Sequence, residues 1–234
     1  MRIHRFYLDQ VILGDKFDIT NRDLIHQWRS VFRYNVGSQV IIFNGNGSDY
    51  LCMITSLRAL GASLAVIQEK KMEELIPLKN IFLCLALIKK DNFDLVVQKA
   101  TELGVNNIIP ILCEHSEKKK IKIDRMQKIA VEASEQSGRG SVPKVHEVTK
   151  IQNLFDSGIL PQEKIVLDPG GISWGQYKNS TNQASVAVFI GPEGGFSPKE
   201  IALFKQYNIK IVSLGSQILR AETAAIAIST LLLL

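Results

Sequence analysis

From residue 80 to its last residue the chain alternates short apolar runs with stretches of helical periodicity, and no other feature restricts its fold as tightly. Residues 80–88 form a continuous apolar run, the mark of a strand covered on both faces. Asp91 is placed to cap the helix that follows, in which Phe93, Val96, Val97, Ala100 and Leu103 recur at 3.6-residue spacing. Gly104 ends that helix as a C′ glycine, and residues 105–112 make a second strand. Ile123, Met126, Ile129, Ala130 and Ala133 mark a second helix, ending near Gly138. Short strands at 164–167, 185–190 and 210–214 each open onto a loop bearing glycine or proline, with helices at 198–207 and 222–234. This rhythm predicts an α/β fold on a parallel sheet.

The first seventy residues read differently. Residues 39–43 are β-branched and aromatic, and Asn44-Gly45-Asn46-Gly47-Ser48 supplies turn chemistry. Strands at 49–57 and 62–68 complete an antiparallel meander, preceded by a helix at 23–32 with Leu24, Trp28, Val31 and Phe32 on one face. A small β-barrel with one helix fits. The charged stretch 69–77, closing at Pro77, places the linker and divides the chain into domains 1–71 and 72–234.

At 46% hydrophobic and 22% charged residues the chain has the balance of an ordinary globular protein. A net charge of +5 fits a solvated basic surface and fits equally a nucleic-acid partner. Cys52, Cys84 and Cys113 lie about thirty residues apart with no C-x-x-C pair, which argues against structural zinc and for buried free thiols in a reducing compartment. Nothing at the N-terminus resembles a signal peptide, and the most apolar stretch, 224–234, is too short for a membrane helix of about twenty residues. A cytoplasmic protein with no membrane contact is expected.

Ligands of open α/β sheets bind beyond the carboxyl ends of the strands. Three such ends carry unusual sequences: Leu167-Asp168-Pro169-Gly170-Gly171, Ile190-Gly191-Pro192-Glu193-Gly194-Gly195-Phe196-Ser197, and Leu214 through Ala224. The second can bring its main chain close to an adenine edge. It can equally be a turn into a helix, with Ser197 as N-cap and Glu200 closing a capping box. In the third, Arg220 and Glu222 suit either a helix start or a ligand loop. Neither a P-loop nor G-x-G-x-x-G is present.

Together these segments resemble the RsmE family of 16S ribosomal RNA methyltransferases, within the SPOUT superfamily. Gly191-Pro-Glu-Gly-Gly-Phe-Ser197 and Leu214-Gly-Ser-Gln-Ile-Leu-Arg-Ala-Glu-Thr-Ala224 are similar to its two donor loops. Phe93-Asp-Leu-Val-Val-Gln-Lys-Ala-Thr-Glu-Leu-Gly-Val105 with Pro110, and Glu132-Ala-Ser-Glu-Gln-Ser-Gly-Arg139 with Pro143, are similar to its internal motifs. Arg29-Ser-Val-Phe-Arg33 resembles its basic N-terminal segment, with Phe32 where Leu is usual, and Ala221 stands where Thr is commoner.

The resemblance implies a PUA-like RNA-binding β-barrel over 1–71 and, over 72–234, a SPOUT-type parallel sheet with a C-terminal trefoil knot. It implies a homodimer that methylates N3 of one uridine in 16S rRNA of the small ribosomal subunit, with S-adenosylmethionine as donor and no metal. By the same resemblance Leu167, Asp168, Pro169, Gly191, Pro192, Glu193, Gly194, Gly195, Leu214, Gly215, Ile218, Leu219, Arg220, Thr223 and Ala224 form the donor site.

Uridine N3 carries a proton at neutral pH, so the reaction needs a base or a cation that stabilises the uracil anion. Arg139 and Arg220 are candidates for the cation, Arg139 first; Glu102, Glu135 and Glu222 are candidates for the base. Glu135 and Arg139 stand at i and i+4, which puts them on one helix face and fits a plain surface ion pair as well. Glu102, at a helix end, also fits a bond to nearby backbone amides, and His115 reads as a solvated residue. RNA contacts are expected from Arg2, His4, Arg5, Arg29 and Arg33, and from Lys118, Lys119, Lys120 and Lys122. Phe6, Tyr7 and Trp28 either stack on bases or fill the core. Two rival readings are a SPOUT ribose 2′-O-methyltransferase and a non-catalytic RNA-binding protein of ribosome assembly.

Overall fold

The computed structural model describes residues 3–71, 79–116, 120–180 and 183–234. The chain divides into two compact units. The N-terminal unit takes Met1–Ile76 together with Ser134–Ser141; the C-terminal unit takes Pro77–Ala133 and Val142–Leu234.

In the N-terminal unit the expected meander is present as β3 (Gln39–Phe43), β4 (Ser48–Leu57) and β5 (Ala62–Lys71), paired antiparallel. Two short strands flank it. β1 (Arg5–Tyr7) lies parallel to β3, and β2 (Lys16–Ile19) runs antiparallel to β5, giving the order β1-β3-β4-β5-β2. Alternation decides which side is covered: Tyr50, Cys52 and Ile54 of β4 are buried, with Leu51 and Met53 between them more open. The turn before β4 is held by its asparagines. Asn44 Oδ1 accepts from the Asn46 N–H and Asn46 Oδ1 from the Ser48 N–H.

α1 (Arg22–His26) is capped by Asn21, whose Oδ1 accepts from the Leu24 N–H at 3.1 Å. It then widens into a π-helical turn, Gln27–Val31, and Arg33 follows at φ 53°, a left-handed conformation unusual for a side chain of this kind. Trp28 and Phe6 are fully buried with ring centroids 5.4 Å apart, so both belong to the core and neither is available to a base.

In the C-terminal unit the described residues form one sheet in the order β12-β10-β11-β6-β7-β8, with β9 also beside β7, and each pairing is parallel. Its strands are β6 (Asn80–Ala86), β7 (Asn107–Leu112), β8 (Lys144–Val145), β9 (Thr149–Lys150), β10 (Glu163–Ser173), β11 (Ser185–Ile190) and β12 (Lys210–Ser213). Between and after them run α2 (Lys90–Leu103), α3 (Ile123–Ser137), α4 (Ile151–Asp156), α5 (Trp174–Lys178), α6 (Pro198–Gln206) and α7 (Ala221–Leu233). The unbroken apolar run of β6 is explained by two cores. Ile81, Leu83 and Leu85 join one cluster with α2 and α7, while Cys84 and Ala86 join another with α4 and α6. Among the described residues no helix is long and apolar enough to cross a membrane.

Three local expectations need correction. α2 begins one residue before Asp91: its N-cap is Lys89, and Asp91 sits inside the first turn, where its charge meets the positive end of the helix. β10 does not stop at Leu167 but runs on to Ser173. Arg139 is not on a helix face with Glu135, because α3 ends at Ser137 and Gly138 turns the chain at φ 77°. The three cysteines are free and buried, as their sequence context predicts.

Candidate functional site

The bulge in β10 is the first wall. Leu167 pairs with Val212 and so does Ile172, so the four residues Asp168–Gly171 are looped out of the ladder. Asp168 Oδ1 accepts from the Gly170 N–H at 2.9 Å, which pins the bulge. Gly171 lies directly against β12: a Cβ there would be 2.5 Å from the Ile211 carbonyl carbon and the Val212 nitrogen. Only glycine lets the two main chains approach so closely.

The second wall follows β11. The Gly195 N–H donates to the Pro192 carbonyl at 2.8 Å, closing a tight turn, and Ser197 caps α6 with Glu200 in a complete capping box. This motif is therefore at once a helix start and a cavity wall. Glu200 does more than cap. Its Oε2 accepts from the Ser197 N–H at 2.8 Å and its Oε1 from the Glu114 N–H at 2.9 Å, tying the segment after β7 to this loop. His115 Nδ1 stands 3.1 Å from the Gly195 carbonyl oxygen and 3.3 Å from that of Gly194. Carbonyls only accept, so Nδ1 carries the hydrogen. His115 is exposed, as expected, yet it clasps the loop.

The third wall follows β12, through Leu214 and Gly215 to Arg220, which stands in extended conformation as the N-cap of α7. These three walls enclose a cavity of about 390 Å³. Of the residues expected at the donor site, Leu167, Asp168, Pro169, Gly191, Pro192, Glu193, Gly194, Gly195, Leu214, Gly215, Ile218, Leu219, Arg220 and Ala224 line it; Thr223 does not. Ile190, Phe196, Val212, Ser213, Gln217 and Ala221 also line it without having been assigned to the donor site from the sequence. Ile190, Phe196, Gln217 and Ala221 fall within the strand-end segments already singled out and Ser213 adjoins Leu214, while Val212, inside β12, gave no signal of its own. Apolar side chains beside glycine-rich main chain suit a flat heteroaromatic ligand with polar edges, and a cavity of this size is in the range that takes a nucleoside.

The charged candidates are dispersed. Arg220 lines the cavity and is exposed. Glu222, in the first turn of α7, is half-buried, and its Oε2 is buried without a hydrogen-bond partner among the described residues. Glu102 is paired with Lys99 at 2.9 Å on the exposed side of α2, and does not line the cavity. Glu135 and Arg139 belong to the N-terminal unit. Glu135 Oε1 accepts from the Tyr7 N–H at 2.9 Å. Arg139 is 6% exposed, so it is no surface residue, and burial lowers its pKa to about 10, which leaves it cationic at neutral pH.

Among the basic residues expected to meet RNA, Arg5 is turned inward. Its guanidinium grips Asp49 at 2.7–2.9 Å, lies 3.5 Å from the centre of the Phe43 ring, and donates to the carbonyls of Ser134 and Arg139. It organises the N-terminal unit, and most of its donors are already taken. His4 Nδ1 is 2.8 Å from the Tyr34 hydroxyl. Arg29 and Arg33 are exposed on a concavity of about 400 Å³ in the N-terminal unit, and Lys120 and Lys122 are exposed in the C-terminal unit. Arg2, Lys118 and Lys119 lie outside the described residues. No group of acidic, histidine or cysteine side chains among the described residues is arranged to hold a metal ion.

Comparison with known proteins matches residues 74–233 to an RNA methyltransferase domain and residues 29–65 to an RNA methyltransferase PUA domain. The ribosomal RNA small subunit methyltransferase E of Rickettsia conorii is 29% identical, over 97% of this chain and 93% of its own length. The ribosomal RNA small subunit methyltransferase E 2 of Borreliella burgdorferi is 30% identical, over 91% and 79%. Among solved structures, ribosomal RNA small subunit methyltransferase E of Neisseria gonorrhoeae, bound to S-adenosyl methionine, superposes with a TM-score of 0.87 at 26% identity, covering 98% of this chain and 96% of that one. Lpg2936 of Legionella pneumophila, in complex with the cofactor SAM, gives 0.89 at 27% identity, covering 99% and 97%.

Proposed function

The chain belongs to the ribosomal RNA small subunit methyltransferase E family, within the RNA methyltransferases, and from that premise we propose that it methylates N3 of a uridine in 16S ribosomal RNA with S-adenosylmethionine as donor. The observation that carries this reading is the convergence of the β10 bulge, the Gly191–Gly195 turn and the segment from Leu214 to Arg220 on one cavity. S-adenosylmethionine fits that lining: Leu214, Ile218 and Leu219 suit the adenine ring, the glycine-rich main chain its polar edge. When bound it supplies a methyl group on a positively charged sulfur.

The chain's own residues have three tasks. The walls hold the donor and keep water from it, and positioning of this kind contributes up to about 7–11 kcal/mol to a two-partner reaction. Arg220, on the cavity wall, stabilises the negative charge left on uracil as the N3 proton departs; Arg139, buried and cationic in the N-terminal unit, is the other candidate for that task. Glu222 is the favoured acceptor of that proton, since the carboxylates of Glu102 and Glu135 are already bonded to Lys99 and to the Tyr7 amide. RNA is held by His4, Arg29 and Arg33, with Lys120 and Lys122 and the neighbouring Lys118, Lys119 and Arg2. The same proposal includes a trefoil knot in the C-terminal unit, a cytoplasmic location and a homodimer. Light scattering should give twice the 26.1 kDa of one chain.

Calorimetry with S-adenosylmethionine, followed by mass mapping of rRNA methylated in vitro, tests the reading. Tight donor binding and N3-methyluridine are expected. Products carrying 2′-O-methyl groups would replace the uracil target with ribose, and absence of donor binding would leave a non-catalytic RNA-binding protein. Arg139→Ala should lower turnover by on the order of 10²–10³ with donor affinity unchanged; equal losses in both would remove Arg139 from catalysis.

A further inference from the structure

The loop that follows β11 has little of its own to hold it. Gly191, Gly194 and Gly195 bring no side chains, and Gly195 stands at φ 71°. Its internal tie among the described residues is the Gly195 N–H to the Pro192 carbonyl at 2.8 Å. Glycine-rich main chain loses the most conformational freedom when it becomes ordered. A ligand that must impose that order itself binds more weakly than one that meets the loop already shaped.

The missing restraint comes from the segment after β7. Cys113 and Ser116 close a turn on each other: the Cys113 N–H donates to Ser116 Oγ at 3.1 Å, and the Ser116 N–H to the Cys113 carbonyl at 3.2 Å. From this stiff stub the Glu114 N–H reaches Glu200 Oε1 at 2.9 Å, and His115 Nδ1 reaches the carbonyl oxygens of Gly195 and Gly194 at 3.1 and 3.3 Å. The His115 side chain also packs on Gly194, where an added Cβ would come within 3.3 Å of His115 Cβ and 3.6 Å of Nδ1. The peptide bonds here are trans, so each N–H points away from the carbonyl of its own peptide group. Drawing both carbonyls to His115 therefore turns the N–H groups of Gly195 and Phe196 to the opposite side of the loop. The first meets the Pro192 carbonyl; the second has no acceptor among the described residues, and Phe196 lines the cavity.

We propose that His115 is a positioning residue for the methyl donor: its Nδ1–H fixes the carbonyl faces of Gly194 and Gly195 before the donor arrives, so that the loop receives it already ordered. His115 does not itself line the cavity and acts through the loop. The inference rests on the reading of this cavity as the S-adenosylmethionine site and deepens it, because part of the affinity is then set by an exposed side chain outside the site.

Three substitutions isolate the hydrogen at Nδ1. In His115→Asn an amide nitrogen is attached at Cγ, as Nδ1 is; His115→Gln carries its amide one carbon further out; His115→Ala has no donor. Calorimetry with S-adenosylmethionine should show His115→Ala and His115→Gln weakened about five-fold, the worth of one hydrogen bond of ordinary strength, and His115→Asn within about two-fold of the parent. S-adenosylhomocysteine should weaken by the same factor, since the clasp shapes the loop and does not read the methyl group. In methyl transfer to rRNA the KM for donor should rise while kcat stays within about two-fold, the signature of lost uniform binding. As His115 is exposed, all three variants should melt within about 2 °C of the parent.

Unchanged donor affinity in both His115→Ala and His115→Gln would overturn the proposal. So would an asparagine variant as weak as the alanine one, which would assign the effect to lost packing on Gly194, and so would weakening confined to S-adenosylmethionine or a fall in kcat alone. If His115→Ala melts early, the comparison of Asn with Gln decides, because the two differ in where one amide stands. A parent that binds no donor sinks the methyltransferase reading and this inference with it. Normal binding by the parent and equally by all three variants sinks only the role of His115.

Discussion

Gly171→Ala tests the architecture of the candidate donor cavity more sharply than any change to a charged residue. The added methyl carbon would lie 2.5 Å from the Ile211 carbonyl carbon, 2.5 Å from the Val212 nitrogen and 2.6 Å from the Ile211 oxygen. Carbon contacts settle at about 3.5–4.0 Å, so one of the two chains must retreat by roughly 1 Å. All three atoms are backbone, and Ile211 and Val212 are paired to β10, so no side-chain rotation relieves the clash. Overpacking costs about 1–3 kcal/mol, and the fixed partners place this case near the upper end. For a unit of this size about 3 kcal/mol lowers Tm by roughly 6–12 °C. The same shift moves Asp168 and Pro169 away from Val212 and Leu214 across the cavity, so donor binding should weaken by on the order of 10-fold or more, given how steeply misplacement is penalised. Gly175→Ala is the control: no atom lies within 4 Å of a Cβ there, and alanine in α5 should be neutral or slightly stabilising. Scanning calorimetry and donor titration decide. A Gly171→Ala protein that melts within about 1 °C of the parent and binds donor equally well would refute the close approach of β10 and β12 on which the argument rests.

Asp49→Asn leaves the Arg5 guanidinium, whose side chain is 8% exposed, without its counter-charge, and should cost about 3–5 kcal/mol in urea denaturation; a loss under about 1 kcal/mol would mean the pair is dispensable. Burial pushes the Cys52 thiol up to about 12 and raises Cys84 and Cys113 as well, so the native protein at pH 8 should show no fast reaction with a disulfide reagent and the denatured protein three thiols. Burial and nearby Lys144 lower the pKa of His146 below its ordinary value of 6.5, so the unfolded chain binds the proton more readily than the folded one. Stability should therefore fall as pH drops through and below 6.5, and His146→Gln should lose that component of the pH dependence of Tm.

Much of this was legible in the sequence because the residues concerned act locally. Ser197 and Glu200 bond within three positions of each other, so the capping box could be read directly, and the unbroken apolar run of β6 announced a strand covered on both faces. What the sequence hid depends on distant partners. Asp168-Pro169-Gly170-Gly171 looks like a strand terminus, and only the second pairing to Val212 makes it a bulge. β1 and β2, of three and four residues, are too short to show alternation and exist because β3 and β5 offer edges. Arg5 looks like any basic residue near an N-terminus until Asp49 and Phe43, more than thirty positions away, draw it inward. The spacing of Glu135 and Arg139 suggested a shared helix face, and the left-handed glycine between them ends the helix first.

The eight residues Ser134–Ser141 are tethered to β1 by Arg5 and by the Tyr7 amide, although the chain on either side of them belongs to the other unit. Cutting the gene at the apparent linker would therefore not yield two self-sufficient modules: the downstream fragment would carry an orphaned stretch, and the upstream one would lack part of its own packing. Swapping RNA-reading heads among such enzymes would require transplanting this inlay along with the head, which ties any change in one half to matching changes in the middle of the other.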